Sequence, residues 1–282
     1  MEVPPELVDV FDRLDPQKRQ RKLSNHDALR QCCYILKTGI PWRYAPITTC
    51  SYSTVYKRFL SWVDRGVFEQ AWRELMALYS KRRLSTDPHW FKELFIDTTM
   101  IKNVGGVDGL GKNPTDRGRL ATKLSVLVDN AMVPVSCEFF PANRNDCMTA
   151  IPTVKSICCP IRRDNRYTAT IVGDKGYISK SIETDLRPMK LKLLTPYKKN
   201  ARKPRAHSNA ELGSLKQRHK VENLFCRLDK FRKIHCRHEK SLMSYRALTL
   251  LGMALIVTTP QSTYFNTLRK VKRLRTEPLT SV

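Results

Sequence analysis

The chain has 282 residues, 41% of them hydrophobic, which is enough to build one large domain and a small one. Its 51 Lys and Arg residues against 26 Asp and Glu residues give a formal net charge of +25, which favours a polyanion-binding protein over an unrelated basic one such as a ribosome-associated factor. The acidic N-terminus is unlike a secretory signal, and the apolar run at 248–257 is too short to span a membrane. We therefore expect an intracellular protein with no membrane partner.

A small all-helical domain is predicted for residues 1–88. Its predicted helices, each with apolar residues on one face, lie at 24–39, 51–66 and 67–79. Three helices joined by tight turns, the second of which carries Lys57 and Arg58, indicate a helix-turn-helix unit that binds DNA. A helical dimerisation cap explains the same pattern equally well. The polar and basic segment 81–88 is the predicted linker to the next domain.

An α/β domain is predicted for residues 89–260, where the pattern alternates between strands and helices. The predicted strands lie at 94–97, 120–129, 133–140, 168–174 and 191–195. The predicted helices lie at 146–157, 179–187, 218–231 and 242–257. This order is that of ribonuclease-H-like domains, in which a mixed sheet is flanked by helices. A basic C-terminal tail at 261–282 is expected to follow.

Two segments of this domain are predicted to be loops. The glycine-rich segment between the first two strands lacks the spacing of a phosphate-cradling loop, so we interpret it as a flexible basic loop that touches the DNA backbone. The segment 196–216 is polar, basic and contains prolines, which is typical of a mobile loop. Cations are concentrated beyond this point, since residues 190–282 contain 22 Lys and Arg but only 5 Asp and Glu.

Three acidic residues lie beside predicted elements of the α/β domain. Asp97 and Asp174 come at the ends of apolar strands, and Glu222 lies in a segment with helical periodicity. Carboxylates that converge from two strand ends and a helix can hold divalent cations such as Mg²⁺, which prefer oxygen ligands. Two such ions about 3.5–4 Å apart catalyse phosphoryl transfer, so the pattern indicates metal-dependent cutting or joining of nucleic acid.

Each of these acids also has a purely structural interpretation. Asp97 and Asp174 could each begin a turn, and Glu222 could pair with Arg218 one helical turn earlier. Together, in a strongly basic chain, the three acids favour a metal site. The other acids are predicted to begin a turn (Asp129), cap a helix (Asp146) or lie in solvent (Asp108, Asp116).

Six sequence blocks resemble, in the same order, those of DDE transposases of bacterial insertion sequences, in the group typified by insertion sequence five. They are FIDTTMIK, TKLSVLVDNAMVP, ANRNDCMTA, GDKGY, RHKVENLFCRL and FRKI. The resemblance covers the C-terminal two-thirds of the chain and, more loosely, the first 80 residues. It implies a catalytic domain in which Asp97, Asp174 and Glu222 are the catalytic residues and hold the metal ions.

The resemblance further implies Mg²⁺ as the cofactor, with Mn²⁺ as a substitute. It implies double-stranded DNA as the partner, both as terminal inverted repeats and as target, and a homodimer on that DNA. In a bacterial host the location would be the cytoplasm, with the nucleoid. The expected reaction is strand cleavage followed by strand transfer. Two alternatives stay open: a metal-dependent DNA endonuclease without strand transfer, and a non-catalytic DNA-binding protein derived from a transposase.

The chain departs from the family pattern next to Glu222. Leu215 stands where a tyrosine is usual, and Asp229 stands where a lysine is usual, with Lys230 beside it. An acid at a position that contacts DNA phosphate is expected to weaken end binding. The basic residues predicted to contact DNA are Lys57, Arg58, Lys102, Lys112, Arg117, Lys123, Lys175, Lys198, Lys199, Arg202, Arg218, Lys220, Lys230, Arg232 and Lys233.

Overall fold

The structure is a computed structural model that describes residues 2–16, 23–46, 50–159, 169–197 and 207–259, so the predicted tail at 261–282 lies outside the described residues. The α-helices are α1 (Pro5–Leu14), α2 (Asn25–Thr38), α3 (Tyr52–Asp64), α4 (Val67–Thr86), α5 (Asp146–Lys155), α6 (Lys180–Leu186), α7 (Asn209–Lys216), α8 (His219–Leu228), α9 (Arg232–His235) and α10 (Leu242–Thr258). The strands are β1 (Glu93–Asn103), β2 (Gly111–Lys112), β3 (Leu120–Val128), β4 (Pro134–Pro141), β5 (Ala169–Val172), β6 (Leu191–Leu194) and β7 (Cys236–Arg237).

The predicted N-terminal helices are present, and the ends of α2 illustrate why they form. The side chain of Ser24 accepts a hydrogen bond from the backbone N–H of Asp27 at 2.9 Å, which caps the first turn. Gly39 ends the helix in a left-handed conformation with φ of 74°, which glycine adopts without steric cost. Helix α1 adds a fourth helix to this region, where the sequence analysis assigned none.

The predicted linker at 81–88 is wrong, because α4 continues as one helix to Thr86. Lysine, arginine and leucine favour helices, and the segment holds no glycine or proline before Pro88. The helix ends as Asp87 turns extended, as expected for the residue before a proline. The division into domains at 1–88 and 89–260 stays a prediction.

One hydrophobic core runs from the N-terminal helices into the sheet region. Helix α10 joins the two, since it packs against α2, α4 and β4. Its residues are buried along almost its whole length, as expected of a helix that is apolar on all sides. In the described part of the chain, no helix is long and apolar enough to cross a membrane.

The sheet is mixed and flanked by helices, which confirms the predicted α/β class. Its strand order is β2-β3-β1-β5-β6, with β4 also paired to β3 and β7 to β1. Strand β1 is antiparallel to β3 and parallel to β5, which in turn is parallel to β6. Helix α5 packs against β3 and β4, and α8 packs against β1 and β3. The central strand β1 therefore lies between β3 and β5.

Two predicted elements differ in extent from those observed. Strand β1 does not end at Asp97 but continues to Asn103, because the residues after Asp97 also pair with β3, as far as Lys102. The predicted loop at 196–216 is wrong for its last eight residues, which form α7. This helix begins with a reciprocal capping box between Ser208 and Glu211, a signal that was present in the sequence and was missed.

Candidate active site

Asp97 and Asp174 are brought to the same level of the sheet by the parallel pairing of β1 with β5. The last paired residues are Phe95 and Val172, so each acid lies two residues beyond this pair on its own chain segment. Asp97 is therefore in the middle of β1 and not at its end, which corrects the expectation. The predicted proximity of the two acids nevertheless holds, because β5 ends beside the position that Asp97 occupies.

The Asp174 side chain is held in a tight turn after β5. Its Oδ1 accepts a hydrogen bond from the backbone N–H of Gly176 at 2.7 Å, at the start of a 3-10 turn over Lys175–Tyr177. A Cβ atom on Gly176 would lie 2.9 Å from Asp174 Oδ1, closer than carbon and oxygen normally approach. Glycine at this position therefore allows the backbone to close around the carboxylate.

The surroundings of Asp97 raise the pKa of its carboxyl to about 6. Burial is the main cause, because it disfavours the charged form, and the negative charges of Asp174 and Asp146 act in the same direction. The hydrogen bond from the Thr98 N–H and the positive charge of Arg218 oppose the shift. Burial and the neighbouring carboxylates make the negative charge of Asp97 unfavourable, and a bound cation would offset that unfavourable charge.

Asp146 belongs to this neighbourhood, and the sequence analysis missed it. It was predicted to cap a helix, but Asn145 is the cap of α5 and accepts the Cys147 N–H at 3.2 Å. Asp146 instead accepts hydrogen bonds from Lys123 Nζ at 2.6 Å and from Thr98 Oγ1 at 3.0 Å. Its presence in the block ANRNDCMTA was the one available signal.

Helix α8 carries the third predicted acid. Arg218 lies immediately before α8, which packs against β1 and β3, and its charge lowers the pKa of Asp97. Glu222 follows one helical turn later, on the same face of the helix, and its side chain is exposed. Among the described residues, no three His, Cys, Asp or Glu side chains form a group that could hold a metal ion. The structure thus brings Asp97 and Asp174 together but leaves Glu222 outside a preformed group.

The pair of Asp97 and Asp174 fits a hard divalent cation. Both supply carboxylate oxygens, and each is oriented by a backbone N–H, that of Thr98 at 2.8 Å and that of Gly176. Mg²⁺ is commonly held by one or two carboxylates, with its other positions filled by water and by substrate phosphates. The residues present therefore fit Mg²⁺ or Mn²⁺ without a complete protein cage.

Most of the predicted DNA-contacting cations in the described part of the chain lie at the surface. Arg218 and Lys220 are half-buried; Lys220 Nζ donates to Asn130 Oδ1 at 2.9 Å and lies 5.2 Å from the centre of the Phe95 ring. Lys198, Lys199 and Arg202 lie outside the described residues. The exposed cations are Lys57, Lys102, Lys112, Arg117, Lys175, Lys230 and Arg232.

The structure argues against three of the predicted DNA contacts, because their side chains are engaged inside the protein. Arg58 is 12% exposed and pairs with Asp15 at 3.2 Å. Lys123 is 5% exposed and is bound to Asp146. Lys233 is 5% exposed and its Nζ donates to Glu239 Oε1 at 3.1 Å. None of these three side chains is exposed enough to contact a DNA phosphate in this conformation.

The glycine-rich segment between β1 and β3 is anchored rather than free. The buried guanidinium of Arg237 donates to the Asp108 backbone oxygen at 2.7 Å and to Thr122 Oγ1 at 2.9 Å, and it pairs with the Asp108 carboxylate. Asp108 was expected to be solvated, and its side chain is indeed 50% exposed, although its carboxylate also pairs with the buried Arg237. Asp129 does begin a turn, as predicted, because its carboxylate accepts the Ala131 and Val133 N–H groups.

The two departures from the family pattern lie at the ends of α7 and α8. Leu215 is half-buried and packs against the hydrophobic core. Asp229 is exposed at the C-terminal end of α8, where His235 Nδ1 lies 3.2 Å from its Oδ1. An exposed acid is thereby placed next to a ring that can carry a positive charge.

Comparison with known families decides what kind of protein this site belongs to. Residues 92–257, more than half of the chain, match the family described as "Transposase DDE domain". The chain belongs to this family. Residues 7–72 match a second family, described as "Putative transposase of IS4/5 family". An insertion element IS402 uncharacterized 16.2 kDa protein from Burkholderia cepacia is 30% identical over 119 residues, 39% of this chain and 78% of the relative. The resemblance to insertion-sequence transposases is confirmed.

One solved transposase structure shares the fold. This DDE transposase chain is similar to a chain in the cryo-EM structure of the piggyBac transposase synaptic complex with hairpin DNA, with a TM-score of 0.51 and 10% identity over 92% of this chain and 72% of that one. The catalytic domain of Mos1 mariner transposase matches at a TM-score of 0.28 and 10% identity, over 60% of this chain and 93% of that one. At such identities the first likeness bears on the fold alone, and it confirms the ribonuclease-H-like class.

Proposed function

We propose that this DDE transposase binds the terminal inverted repeats of a mobile DNA element and catalyses metal-dependent strand cleavage and strand transfer. The observation that carries the proposal is the Asp97–Asp174 pair, oriented by backbone N–H groups and adjoined by Arg218. The exposed cations among the described residues support binding to a polyanion, since each one that neutralises a phosphate releases counterions. The substrate class that follows is double-stranded DNA.

We assign the following roles to the residues of the site. Asp97 and Asp174 would hold Mg²⁺, or Mn²⁺ in its place, and Glu222 would complete the site from α8 when DNA is bound. When bound, two divalent ions supply stabilisation of the attacking and leaving oxygens. Arg218, beside Asp97, would bind the phosphate that reacts, because a guanidinium offers a planar fork of donors to phosphate oxygens.

The proposed reaction consists of two successive displacements at phosphorus. In the first, a water oxygen bonds to phosphorus, the bond from phosphorus to the 3′ oxygen breaks, and a 3′-hydroxyl is left at the element's end. In the second, that hydroxyl bonds to a phosphorus of target DNA, and a target 3′-hydroxyl leaves. We propose that a homodimer carries out both, so that two element ends are held together on one assembly.

The experiment compares the three acids with a matched surface acid. Asp97→Ala, Asp174→Ala and Glu222→Ala should each lower cleavage of labelled end DNA in Mg²⁺ by about 1,000-fold, since several kcal/mol of transition-state stabilisation are lost. Their affinity for end DNA should be unchanged. Asp185→Ala, an exposed acid on α6, is the control and should cut at the wild-type rate. A variant of the three that cuts normally removes that residue from the site.

The products separate this proposal from its alternatives. Incubation of wild-type protein with end DNA and a plasmid should yield joined molecules. Nicks without joined products would indicate an endonuclease. Binding without cleavage in either Mg²⁺ or Mn²⁺ would indicate a non-catalytic DNA-binding protein. The end DNA itself is found by sequencing outward from the coding region to short inverted repeats.

A further inference from the structure

Asp146, the first residue of α5, connects two strands of the sheet beside the catalytic acids. Its Oδ1 accepts one hydrogen bond from Lys123 Nζ on β3, at 2.6 Å, and another from Thr98 Oγ1 on β1, at 3.0 Å. Lys123 is almost fully buried and also donates to the backbone oxygen of Arg144. The position of the Asp146 carboxylate is therefore set by groups on two strands, β1 and β3.

Thr98 passes this constraint to Asp97. Its backbone N–H donates to Asp97 Oδ1 at 2.8 Å, while its hydroxyl donates to Asp146. Successive side chains of a strand point to opposite faces of the sheet, so Asp97 and Thr98 project from β1 in opposite directions. The hydroxyl bond thus holds Thr98 on one face while the N–H of the same residue holds the catalytic carboxylate on the other.

The register of the sheet makes this connection specific to Thr98. Thr98 lies opposite Ser125 on β3, and Lys123 lies opposite Met100, so the Thr98 and Lys123 side chains share one face. On that face α5 is fixed by a second bond, from Thr153 Oγ1 to Ser125 Oγ at 2.8 Å. Helix α5 is therefore attached to the sheet through Thr153 as well as through Asp146, and of these two residues Asp146 is the one next to Asp97.

We infer that Asp146 is a positioning residue: held by Lys123, it fixes the orientation of the Asp97 carboxylate through Thr98. This inference rests on the proposed function, in which Asp97 holds a divalent cation. Groups that orient metal ligands through hydrogen bonds commonly affect metal affinity or activity by about 10- to 100-fold. The buried cation Lys123 balances the charge of Asp146, and Asp146 Oδ1, which accepts both bonds, acts through Thr98.

The test measures Mn²⁺ binding to the full-length, DNA-free protein by titration calorimetry. Asp146→Ala and Thr98→Val should each weaken Mn²⁺ binding by about 10-fold or more. The double variant should bind no more weakly than Asp146→Ala alone, because both changes break the same connection. Thr98→Ser keeps the hydroxyl and should bind Mn²⁺ as the wild type does. Affinity for end DNA without metal should be unchanged in all four, which a general loss of structure would not allow.

Three outcomes would overturn the inference. The first is wild-type Mn²⁺ affinity in Thr98→Val. This variant replaces only the hydroxyl by a methyl, so it keeps the test decisive even if Asp146→Ala were to unfold. The second is loss of binding in Asp146→Ala alone, which would make Asp146 a direct ligand. The third is a wild-type protein that does not bind Mn²⁺, which contradicts the proposed function as well. A wild-type protein that binds Mn²⁺ but never cuts DNA contradicts only the proposed function, and the Mn²⁺ comparison still decides the role of Asp146.

Discussion

Asp97 and Asp174, 77 residues apart in the chain, each lie two residues beyond Phe95 and Val172, the last pair of the parallel ladder between β1 and β5. The register of that ladder, and not the end of β1, is what sets the two carboxylates side by side. Since β1 continues past Asp97 in an antiparallel pairing with β3, the site lies beside the end of β5, within the sheet. The position of the pair is thus set by strand pairing, whereas Glu222 belongs to a helix packed against β1 and β3.

We therefore expect the affinity for Mn²⁺ to depend on Asp97 and Asp174 but not on Glu222. Asp97→Asn and Asp174→Asn should each weaken Mn²⁺ binding to the DNA-free protein by at least about 10-fold, because each removes half of the preformed pair. Glu222→Gln should leave that affinity close to the wild-type value and still abolish cleavage of end DNA. Titration calorimetry and a gel-based cleavage assay provide the two readouts. Equal loss of Mn²⁺ affinity in all three would contradict the division.

Exposed and buried cations should respond differently to neutralisation. Lys102→Gln and Lys112→Gln should weaken DNA binding, and each should reduce the slope of log affinity against log salt concentration by about 0.9, the value for one phosphate contact. Lys233→Gln should leave the slope unchanged, but it should lower the free energy of unfolding by about 3 kcal/mol, because Glu239 is then buried without its cation. Fluorescence anisotropy at several salt concentrations measures the slope. A reduced slope for Lys233→Gln would show that this residue reaches DNA after all.

Asp15 should govern part of the stability of the N-terminal helices. Its carboxylate accepts Trp62 Nε1 at 2.9 Å and pairs with Arg58 and Arg65. Burial raises the pKa of this carboxyl. The Trp62 hydrogen bond and the charges of Arg65 and Arg58 together lower the pKa by more than burial raises it, so that it lies below its usual value of 3.8. Asp15→Asn should therefore lower the free energy of unfolding at pH 7 by about 3 kcal/mol.

The sign of the pH dependence follows from the lowered pKa. A carboxyl whose pKa is lower in the folded state contributes its full stabilisation above the unfolded value, and that contribution is lost as the pH falls through the folded value. The stability difference between wild type and Asp15→Asn should hence shrink below about pH 4. Urea unfolding at several pH values measures it. Asp64→Asn, an exposed acid on α3, is the control, and a difference that does not depend on pH would refute the assignment.

Arg237 should stabilise the loop before β3 through its guanidinium geometry. It is fully buried and donates to three backbone oxygens besides pairing with Asp108; these are the oxygens of Asp108, Glu239 and Lys240. Arg237→Lys should lower the free energy of unfolding by about 3 kcal/mol, since an ammonium cannot supply the same planar set of donors. Arg119→Lys, on an exposed arginine, should change it by less than about 0.5 kcal/mol. Equal effects of the two would mean that charge alone matters.

Close packing against Arg237 provides an independent check at Gly106. A Cβ atom there would lie 2.6 Å from Arg237 Nε, so Gly106→Ala must displace the guanidinium or the loop. We expect it to lower the melting temperature in the same direction as Arg237→Lys. The same substitution at Gly213, where a Cβ atom would meet nothing within 4 Å, serves as the control. A melting temperature unchanged by Gly106→Ala would contradict the close packing.

The prediction from sequence succeeded where the signal was local and failed where it depended on distant residues. The start of α2 at Ser24 and its end at Gly39 follow from capping chemistry within a few residues. Lys123 was assigned to the surface because its partner, Asp146, is 23 residues away in the chain. Arg58 failed for the same reason, since Asp15 is 43 residues away. No periodicity in the neighbouring sequence records such a pairing.

The sequence alone determined the order of the longer strands and of most helices, although not α1 or α7. It also determined the acids Asp97, Asp174 and Glu222 as candidates, and the resemblance to DDE transposases. These conclusions depend on residue identity, spacing and periodicity, which are properties of the chain itself. Only the tertiary structure decided that Asp97 and Asp174 form a pair without Glu222, and that Asp146 reaches Asp97 through Thr98. Those outcomes depend on strand register and on the packing of α5 and α8 against the sheet, because side chains from segments far apart in the chain meet only once it is folded.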